Sequence, residues 1–364
     1  MYFFNKTILN KKNNHMNILV TGGAGYIGTH TTIELLNDGH KVIVIDNLSN
    51  SSEDALSKVS VITKTKLQNN KSLSGKYIFI DGDIRDRNII SQLFSQYSID
   101  AVIHFAGLKS VNESVSKPID YYSNNVMGST ILFEEMHKAN VKTIIFSSTA
   151  AVYGTPESVP ITEKFSTHNI LSPYGESKLM IENILKHIYD SDKDWKIAIL
   201  RYFNPAGAHS SGIIGENPNG IPDNLIPYIS QVASGQLAKL KIFGNNYPTS
   251  DGTGIRDYIH VVDLAKGHIS ALNYINRKNS SFDIFNLGTG KGTSVLEMVQ
   301  AFENASRKTI SYNFEDRRPG DVAECWASTK HAESILGWKA KYSIQKMCED
   351  TWRWQKNSLK GSIN

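Results

Sequence analysis

Short apolar runs alternate with amphipathic stretches through the first two hundred residues. The runs 18–20, 42–45, 77–80, 101–105, 143–146 and 197–200 are compact and almost free of charge, as strands buried on both faces should be. Between them lie helical patterns. Ile27, Ile33, Leu35 and Leu36 mark one that stops at Gly39, a natural C-cap. Others are predicted over about 86–97, about 119–139 with Tyr122, Val126, Phe133 and Met136 on one face, and about 173–189. A polar loop over 47–54 and a weakly patterned stretch up to Gly75 interrupt the alternation. Repeated strand–helix units of this kind predict an α/β fold, a doubly wound parallel sheet with ligands at the carboxyl ends of its strands.

The texture changes after Arg201. Residues 204–223 hold Pro205, Pro218, Pro222 and four glycines, and read as loop. A helix over about 225–234, a short strand at 240–243 and a polar loop to Gly254 follow. The run 282–287 is predicted to rejoin the sheet, and the rest mixes short helices and loops. This gives a domain over 16–203 and a smaller mixed α/β substrate lobe over 204–364, with a segment near 282–290 returning to the sheet. Residues 1–15, with Tyr2, Phe3 and Phe4 too short a patch for a signal peptide, are predicted to be a disordered extension. Met16 is a second candidate start.

Bulk numbers exclude more than they assign. The net charge of +4 is dispersed over 364 residues, so nothing points to nucleic acid or an anionic membrane. Two cysteines, Cys325 and Cys348, are too few for a disulfide framework and fit a reducing cytoplasm. No apolar run approaches the ~20 residues that span a bilayer, and no metal-ligand spacing stands out.

The chemistry begins at Thr21-Gly-Gly-Ala-Gly-Tyr-Ile-Gly28. Gly22 permits a tight turn, Gly25 lets a pyrophosphate approach the backbone, and Gly28 lets the helix pack close to the strand. The diphosphate would sit on the free N–H groups and positive dipole end of that helix. A glycine triplet alone is weak. Here the second strand ends on Asp46, eighteen residues past Gly28, where a carboxylate can take both ribose hydroxyls and repel a 2′-phosphate. The pairing makes the fold a Rossmann type and the cofactor NAD, not NADP.

Tyr174 and Lys178 are four residues apart at the start of a predicted helix, so both project from one face. A free tyrosine titrates near 10 and is a poor base at neutral pH. A neighbouring ammonium and a cationic nicotinamide would both stabilise the phenolate; about three units of lowering needs roughly 4 kcal/mol. Tyr-x-x-x-Lys is common on surface helices by chance, but behind a NAD fingerprint the catalytic reading wins. Thr149, at the end of its strand, can offer a hydroxyl to the same reacting oxygen.

These motifs resemble the extended short-chain dehydrogenase/reductase family. The finer ones resemble its UDP-galactose 4-epimerases: Val102-Ile-His-Phe-Ala-Gly-Leu-Lys109, Tyr121-Tyr122 with Asn124-Asn125, Leu200-Arg-Tyr-Phe-Asn-Pro205, Asp251 to His260, and Asn286-Leu-Gly288. The likeness runs from Met16 to about Gln355. It implies cofactor contacts at Tyr26, Ile27, Asp46, Asn47, Asp83, Ile84, Phe105, Ala106, Lys109, Asn124, Tyr174, Lys178 and Tyr202. For a uridine diphosphate sugar it implies Asn204, Asn224, Leu225, Phe243, Arg256, Arg318 and Asp321. Paired guanidinium donors suit a diphosphate. The implied reaction passes the sugar C4 hydride to tightly bound NAD and back through a 4-keto sugar, and the implied assembly is a homodimer pairing helices 119–139 and 174–189.

Two departures matter. Thr149 stands where the family usually has serine. Cys325 precedes Trp326-Ala327 where strict UDP-glucose enzymes carry tyrosine, which predicts room for N-acetylated UDP-hexoses. Two rival functions fit the residues less well. A nucleotide-sugar 4,6-dehydratase would resemble members with Asp-Glu after the strand-end threonine, whereas Ala150-Ala151 follow here. A NAD-sensing regulator that had lost turnover would lack the intact Tyr/Lys pair.

Overall fold

The computed structural model describes residues 15–69, 75–218, 220–318 and 320–361; of the expected N-terminal extension, 1–14 lie outside it. The chain runs β1 (Asn17–Thr21), α1 (Tyr26–Asn37), β2 (Lys41–Asp46), α2 (Glu53–Thr63), β3 (Leu67–Asn69), β4 (Tyr77–Asp81), α3 (Arg87–Gln96) and β5 (Ala101–His104). Short helices α4 (Val111–Ser116) and α5 (Pro118–Tyr121) lead through a π-turn (Tyr122–Met127) into α6 (Gly128–Lys138). Then come β6 (Thr143–Thr149), α7 (Pro173–Ser191) and β7 (Lys196–Tyr202).

Eight parallel strands form one sheet, ordered β12-β7-β6-β5-β1-β2-β4-β3, where β12 is Ser281–Leu287. The expected return of 282–287 is thus observed, with Phe282 opposite Ile197 and Leu287 opposite Tyr202. The alternation of side chains along each strand splits the core into two layers. Ile18, Val20, Val42, Val44 and Ile103 face Ile33 and Leu36 of α1 on one side. Leu19, Ile43, Val102 and Ile144 face Ile90, Leu132, Phe133, Ile181 and Leu185 of α3, α6 and α7 on the other. Each such side chain, fully buried, contributes about 1.5–3 kcal/mol.

The second half departs from expectation in one respect. After β8 (Asn204–Ala206), α8 (Leu225–Ala233), β9 (Leu240–Phe243), β10 (Ile255–Arg256) and β11 (Tyr258–His260), a sixteen-residue helix α9 (Val261–Asn276) appears. Its Leu264, Ile269, Leu272 and Ile275 join the α1 layer, so the return to the sheet is wider than 282–290. The remaining elements are β13 (Thr293–Ser294), α10 (Val295–Ser306), β14 (Tyr312–Glu315), β15 (Glu324–Cys325), α11 (Lys330–Leu336) and α12 (Ile344–Gly361). Helices α8, α10 and α12 pack with β9 around a separate cluster of Ile229, Ile242, Met298, Phe302 and Met347.

Two further expectations need correction. The weakly patterned stretch before Gly75 holds α2, which Ser52 precedes without a side-chain capping bond, and edge strand β3. The single helix expected over 119–139 is broken. Lys117 adopts a non-helical backbone before Pro118, as residues preceding proline tend to, and the π-turn then widens the helix and turns Asn125 inward. No helix among the described residues is long and apolar enough to cross a membrane.

Candidate active site

Strand order reverses between β1 and β5, the switch point at whose carboxyl-end side a parallel α/β sheet places its ligand cleft. The β1–α1 turn forms one wall. A Cβ on Gly22 (φ +68°) would lie 2.7 Å from the backbone nitrogen of Ala106, which follows β5. A Cβ on Gly28 would lie 2.4 Å from the Gly22 oxygen and 2.7 Å from the Gly23 Cα, so this glycine packs α1 against the turn and not against the strand itself. Gly25, at the α1 N-cap, brings no side chain, so no side-chain cap covers the first-turn N–H groups. A bare helix N-terminus over a glycine cradle fits a dinucleotide diphosphate.

Asp46 ends β2 beside that turn. Its Oδ2 accepts from the Ala24 nitrogen at 3.0 Å; its Oδ1 accepts from the Leu48 nitrogen and the Ser51 hydroxyl, both at 2.9 Å. Three of about four carboxylate lone-pair sites are used. Ribose hydroxyls on Asp46 would share its oxygens with these donors. Asn47 donates to Asp83 at 2.8 Å, and Arg85 grips Asp83 with two nitrogens. The Arg85 bonds hold Asp83 down at about 2. Ile84 is buried beside it. Tyr26 and Ile27 open α1, and the Tyr26 hydroxyl donates to the Gly207 oxygen at 2.6 Å.

Across the cleft, the Phe105 ring lies 4.8 Å from His268, and Tyr202, at the end of β7, contacts the Ser147 hydroxyl. Lys109 pairs with Glu216 at 3.2 Å, and Asn224 donates to the same carboxylate oxygen at 2.9 Å. One buried glutamate therefore joins an expected cofactor residue to an expected substrate residue. Asn124 donates to Asn125 at 3.0 Å. The better-placed residue is Asn125, which the sequence reading passed over. Its amide exchanges two hydrogen bonds with Leu108 and donates to Ser177, next to Lys178, at 3.1 Å.

Ser172 caps α7 with Pro173 in its first turn, a strong start signal. That start aims Tyr174 and Lys178 at the end of β6. Tyr174 is half-buried, close enough to Thr149 for its hydroxyl to favour the phenolate, and lies edge-on to Tyr121, with centroids 6.4 Å apart. Lys178 is 5% exposed, donates to the Ser147 oxygen at 2.9 Å and lies 5.0 Å from the Phe146 ring. Burial pulls the ammonium down to about 8, against the pull of Glu182. The expected lowering of Tyr174 is not produced by the protein's own groups. Burial pushes the phenol above its ordinary value, and only the Thr149 bond acts the other way. Ala150 and Ala151 follow, with no acid–base pair.

The expected substrate residues largely converge. Arg256 and Cys325 are direct neighbours in parallel register between β10 and β15. Asp321 accepts from Arg318 at 3.0 Å and lies 3.7 Å from Arg256. Arg318 stacks over Phe243, 4.7 Å from its centroid. Two guanidiniums thus flank one carboxylate beside an aromatic ring. Cys325 packs against the Val152, Tyr153 and Phe203 cluster behind Thr149, and burial pushes its thiol up to about 11. Asn204 pairs with Tyr258 in β8, and Asn224 and Leu225 open α8. Among the described residues no His/Cys/Asp/Glu group could hold a metal.

With this geometry in hand, comparison with known proteins is specific. A family model described as GDP-mannose 4,6 dehydratase matches residues 19–351. The chain is 55% identical to the UDP-glucose 4-epimerase of Bacillus subtilis (strain 168), over 95% of this chain and 98% of that protein. Among solved structures it is similar to UDP-glucose 4-epimerase from Bifidobacterium longum in complex with NAD+ and UDP. The TM-score is 0.89 at 49% identity, covering 95% of this chain and 99% of that one. A second is the enzyme from Stenotrophomonas maltophila with bound NAD and formylated UDP-arabinopyranose, at a TM-score of 0.90 and 45% identity, covering 95% and 100%.

Proposed function

The chain belongs to the UDP-glucose 4-epimerases of the extended short-chain dehydrogenase/reductase class, and from that premise we propose how its residues divide the reaction. It is an NAD-dependent isomerase that interconverts UDP-galactose and UDP-glucose by reversible hydride transfer through a 4-keto sugar. One observation carries the assignment of roles: half-buried Tyr174 acted on by the Thr149 hydroxyl where β6 ends, with Ala150-Ala151 in place of a dehydrating acid and base.

Bound NAD supplies the reversible acceptor for the C4 hydride. The Gly22, Gly25 and Gly28 turn with Tyr26 and Ile27 holds its diphosphate, and Asp46 a ribose. Asn47, Asp83, Ile84, Phe105, Ala106, Lys109, Asn124 and Tyr202 line the rest of its path. Tyr174 takes the 4-hydroxyl proton and later returns it, Thr149 hydrogen-bonds the reacting oxygen, and Lys178 fixes the nicotinamide end. Arg256 and Arg318 grip the UDP diphosphate, with Asp321 orienting both guanidiniums. Asn204, Asn224, Leu225 and Phe243 hold the nucleoside end, and Cys325 borders the sugar.

Cys325 is small, and its place behind Thr149 supports acceptance of N-acetylated UDP-hexoses as a further activity. A homodimer is supported by apolar side chains left uncovered on the expected helices 119–139 and 174–189: Ile119 (80% exposed), Met127 and Met180. Two unpaired cysteines support a cytoplasmic setting. The test is a coupled assay of UDP-galactose conversion on protein purified without added NAD, with NAD measured after denaturation. Conversion without supplied NAD, and release of about one dinucleotide per chain, is expected because the cofactor is regenerated in each cycle. An obligatory supply of free NAD would indicate an ordinary dehydrogenase.

A further inference from the structure

One buried charge pair stands beside the active site with no role yet. Glu182 lies one helical turn past Lys178 on the same face of α7. Arg201, on β7, donates to it through Nε at 3.0 Å and through Nη2 at 2.5 Å. The Ser148 hydroxyl donates to the same carboxylate, one residue after the Ser147 oxygen that receives Lys178. Both charges are almost fully enclosed, Glu182 at 3% and Arg201 at 4% exposed. The Arg201 guanidinium also stacks 4.9 Å from the Tyr153 centroid, and Tyr153 donates to Asn286 of β12 at 2.7 Å. The pair is therefore fixed from three strands and one helix.

Stability does not explain it. Well-packed apolar residues are commonly as good as a buried ion pair, because desolvation offsets the Coulomb gain, and here Arg201 Nη1 is left without a partner as well. The functional charge one helical turn from Glu182 is the Lys178 ammonium, which the carboxylate favours. Beside that ammonium stand the Ser147 carbonyl and Phe146 ring on β6, with Glu182 on α7 and His104 on β5 within electrostatic reach; Tyr174 lies one turn back on α7. The burial of His104 and the Lys178 charge hold that imidazole near 3, so it is neutral. Glu182 is the anion of the group.

We propose that Glu182 and Arg201 are positioning residues for the epimerase reaction: Glu182 supplies the negative charge that keeps the Lys178 cation in its dry site, and Arg201 holds that carboxylate in place. Neither touches substrate or cofactor; both act through Lys178. This rests on the roles proposed above for Tyr174 and Lys178. Removing the carboxylate leaves burial unopposed, so the Lys178 proton is lost at lower pH and the alkaline limb of kcat/KM moves down with it.

The test is the pH profile of UDP-galactose conversion by the NAD-containing holoenzyme. Glu182→Gln is nearly isosteric, and its alkaline limb should move down by about one pH unit, with KM at neutral pH within about twofold of wild type. Glu182→Asp keeps the charge and should restore the wild-type limb even where turnover is lower. Should Glu182→Gln fail to fold because Arg201 is left unpaired, Glu182→Gln/Arg201→Gln removes both charges, and its limb should move in the same direction by a smaller amount. A uniform loss of turnover with an unmoved limb in the glutamine variants would overturn the proposal and make the pair structural. Absence of conversion by wild type would instead refute the underlying assignment of function.

Discussion

Gly25 and Gly28 are three residues apart in one turn, yet the structure gives them different reasons to be glycine, and alanine substitution separates them. At Gly28 the added Cβ meets the Gly22 oxygen at 2.4 Å and the Gly23 Cα at 2.7 Å. Ordinary contact begins near 3.4 Å, so the overlap is about 1 Å against backbone that cannot rotate away. Overpacking typically costs about 1–3 kcal/mol, and a rigid partner puts this case at the upper end. At Gly25 the protein offers only the Gly22 oxygen at 3.3 Å, and the backbone (φ −72°, ψ 173°) suits any residue. Its methyl would intrude on the space above the helix N-terminus, where a dinucleotide diphosphate is expected.

The assay is thermal melting of NAD-stripped wild type, Gly25→Ala and Gly28→Ala, together with NAD content and affinity. Gly28→Ala should melt several degrees lower. It should also bind NAD about a hundredfold more weakly, as about 3 kcal/mol dictates if α1 must back away from the turn. Gly25→Ala should melt like wild type while still losing NAD. Equal melting of all three, with full NAD retention in Gly28→Ala, would refute the packing described for this turn.

Other consequences follow from the same geometry. Tyr174→Phe keeps the ring beside Tyr121 and deletes the proton acceptor, so kcat should fall at least a hundredfold while UDP binding survives; near-normal turnover would reassign the base to Thr149. Cys325→Tyr should abolish conversion of N-acetylated UDP-hexoses while leaving UDP-galactose turnover within about tenfold, read as the ratio of the two rates in both proteins. Lys178 sits near 8 when folded and near 10.4 when unfolded, so between those values the unfolded chain binds more protons and stability rises with pH. Lys178→Met removes a penalty of about 3 kcal/mol at pH 7 and should melt higher than wild type there when both are free of NAD, with the gain vanishing near pH 10 and turnover lost. A lower melting temperature for Lys178→Met at pH 7 would contradict this.

Much of this was legible in the residues. Apolar runs such as 42–45 and 197–200 announce buried parallel strands, because sheets covered on both faces need no alternation. Asp46 and the Tyr174–Lys178 spacing announce chemistry. Helix α9 was not legible because Gly267 interrupts its pattern. Its reason is tertiary: a Cβ there would lie 2.8 Å from Leu287 of β12. The π-turn escaped for a different cause, since an i→i+5 turn leaves no hydrophobic period to read. Glu182 carries no signal of its own in the sequence, because nothing local says that Arg201, nineteen residues on, closes over it.

The electrostatics of Tyr174 bear on how one tyrosine serves both halves of an epimerisation. The protein alone makes it a weak acid, because burial outweighs the influence of Thr149, and the hydrogen bond that Lys178 makes goes to the Ser147 carbonyl. A positive charge arriving in the cleft with oxidised NAD is therefore what favours the phenolate. Without that cation, burial would again favour the neutral phenol. Tyr174 would then be placed to hold the proton while the 4-keto sugar turns over and to return it when the cation is restored. Base strength thus follows the redox state of the cofactor. A site whose protein groups alone lowered the phenol permanently would bind the first proton less firmly and lose this coupling.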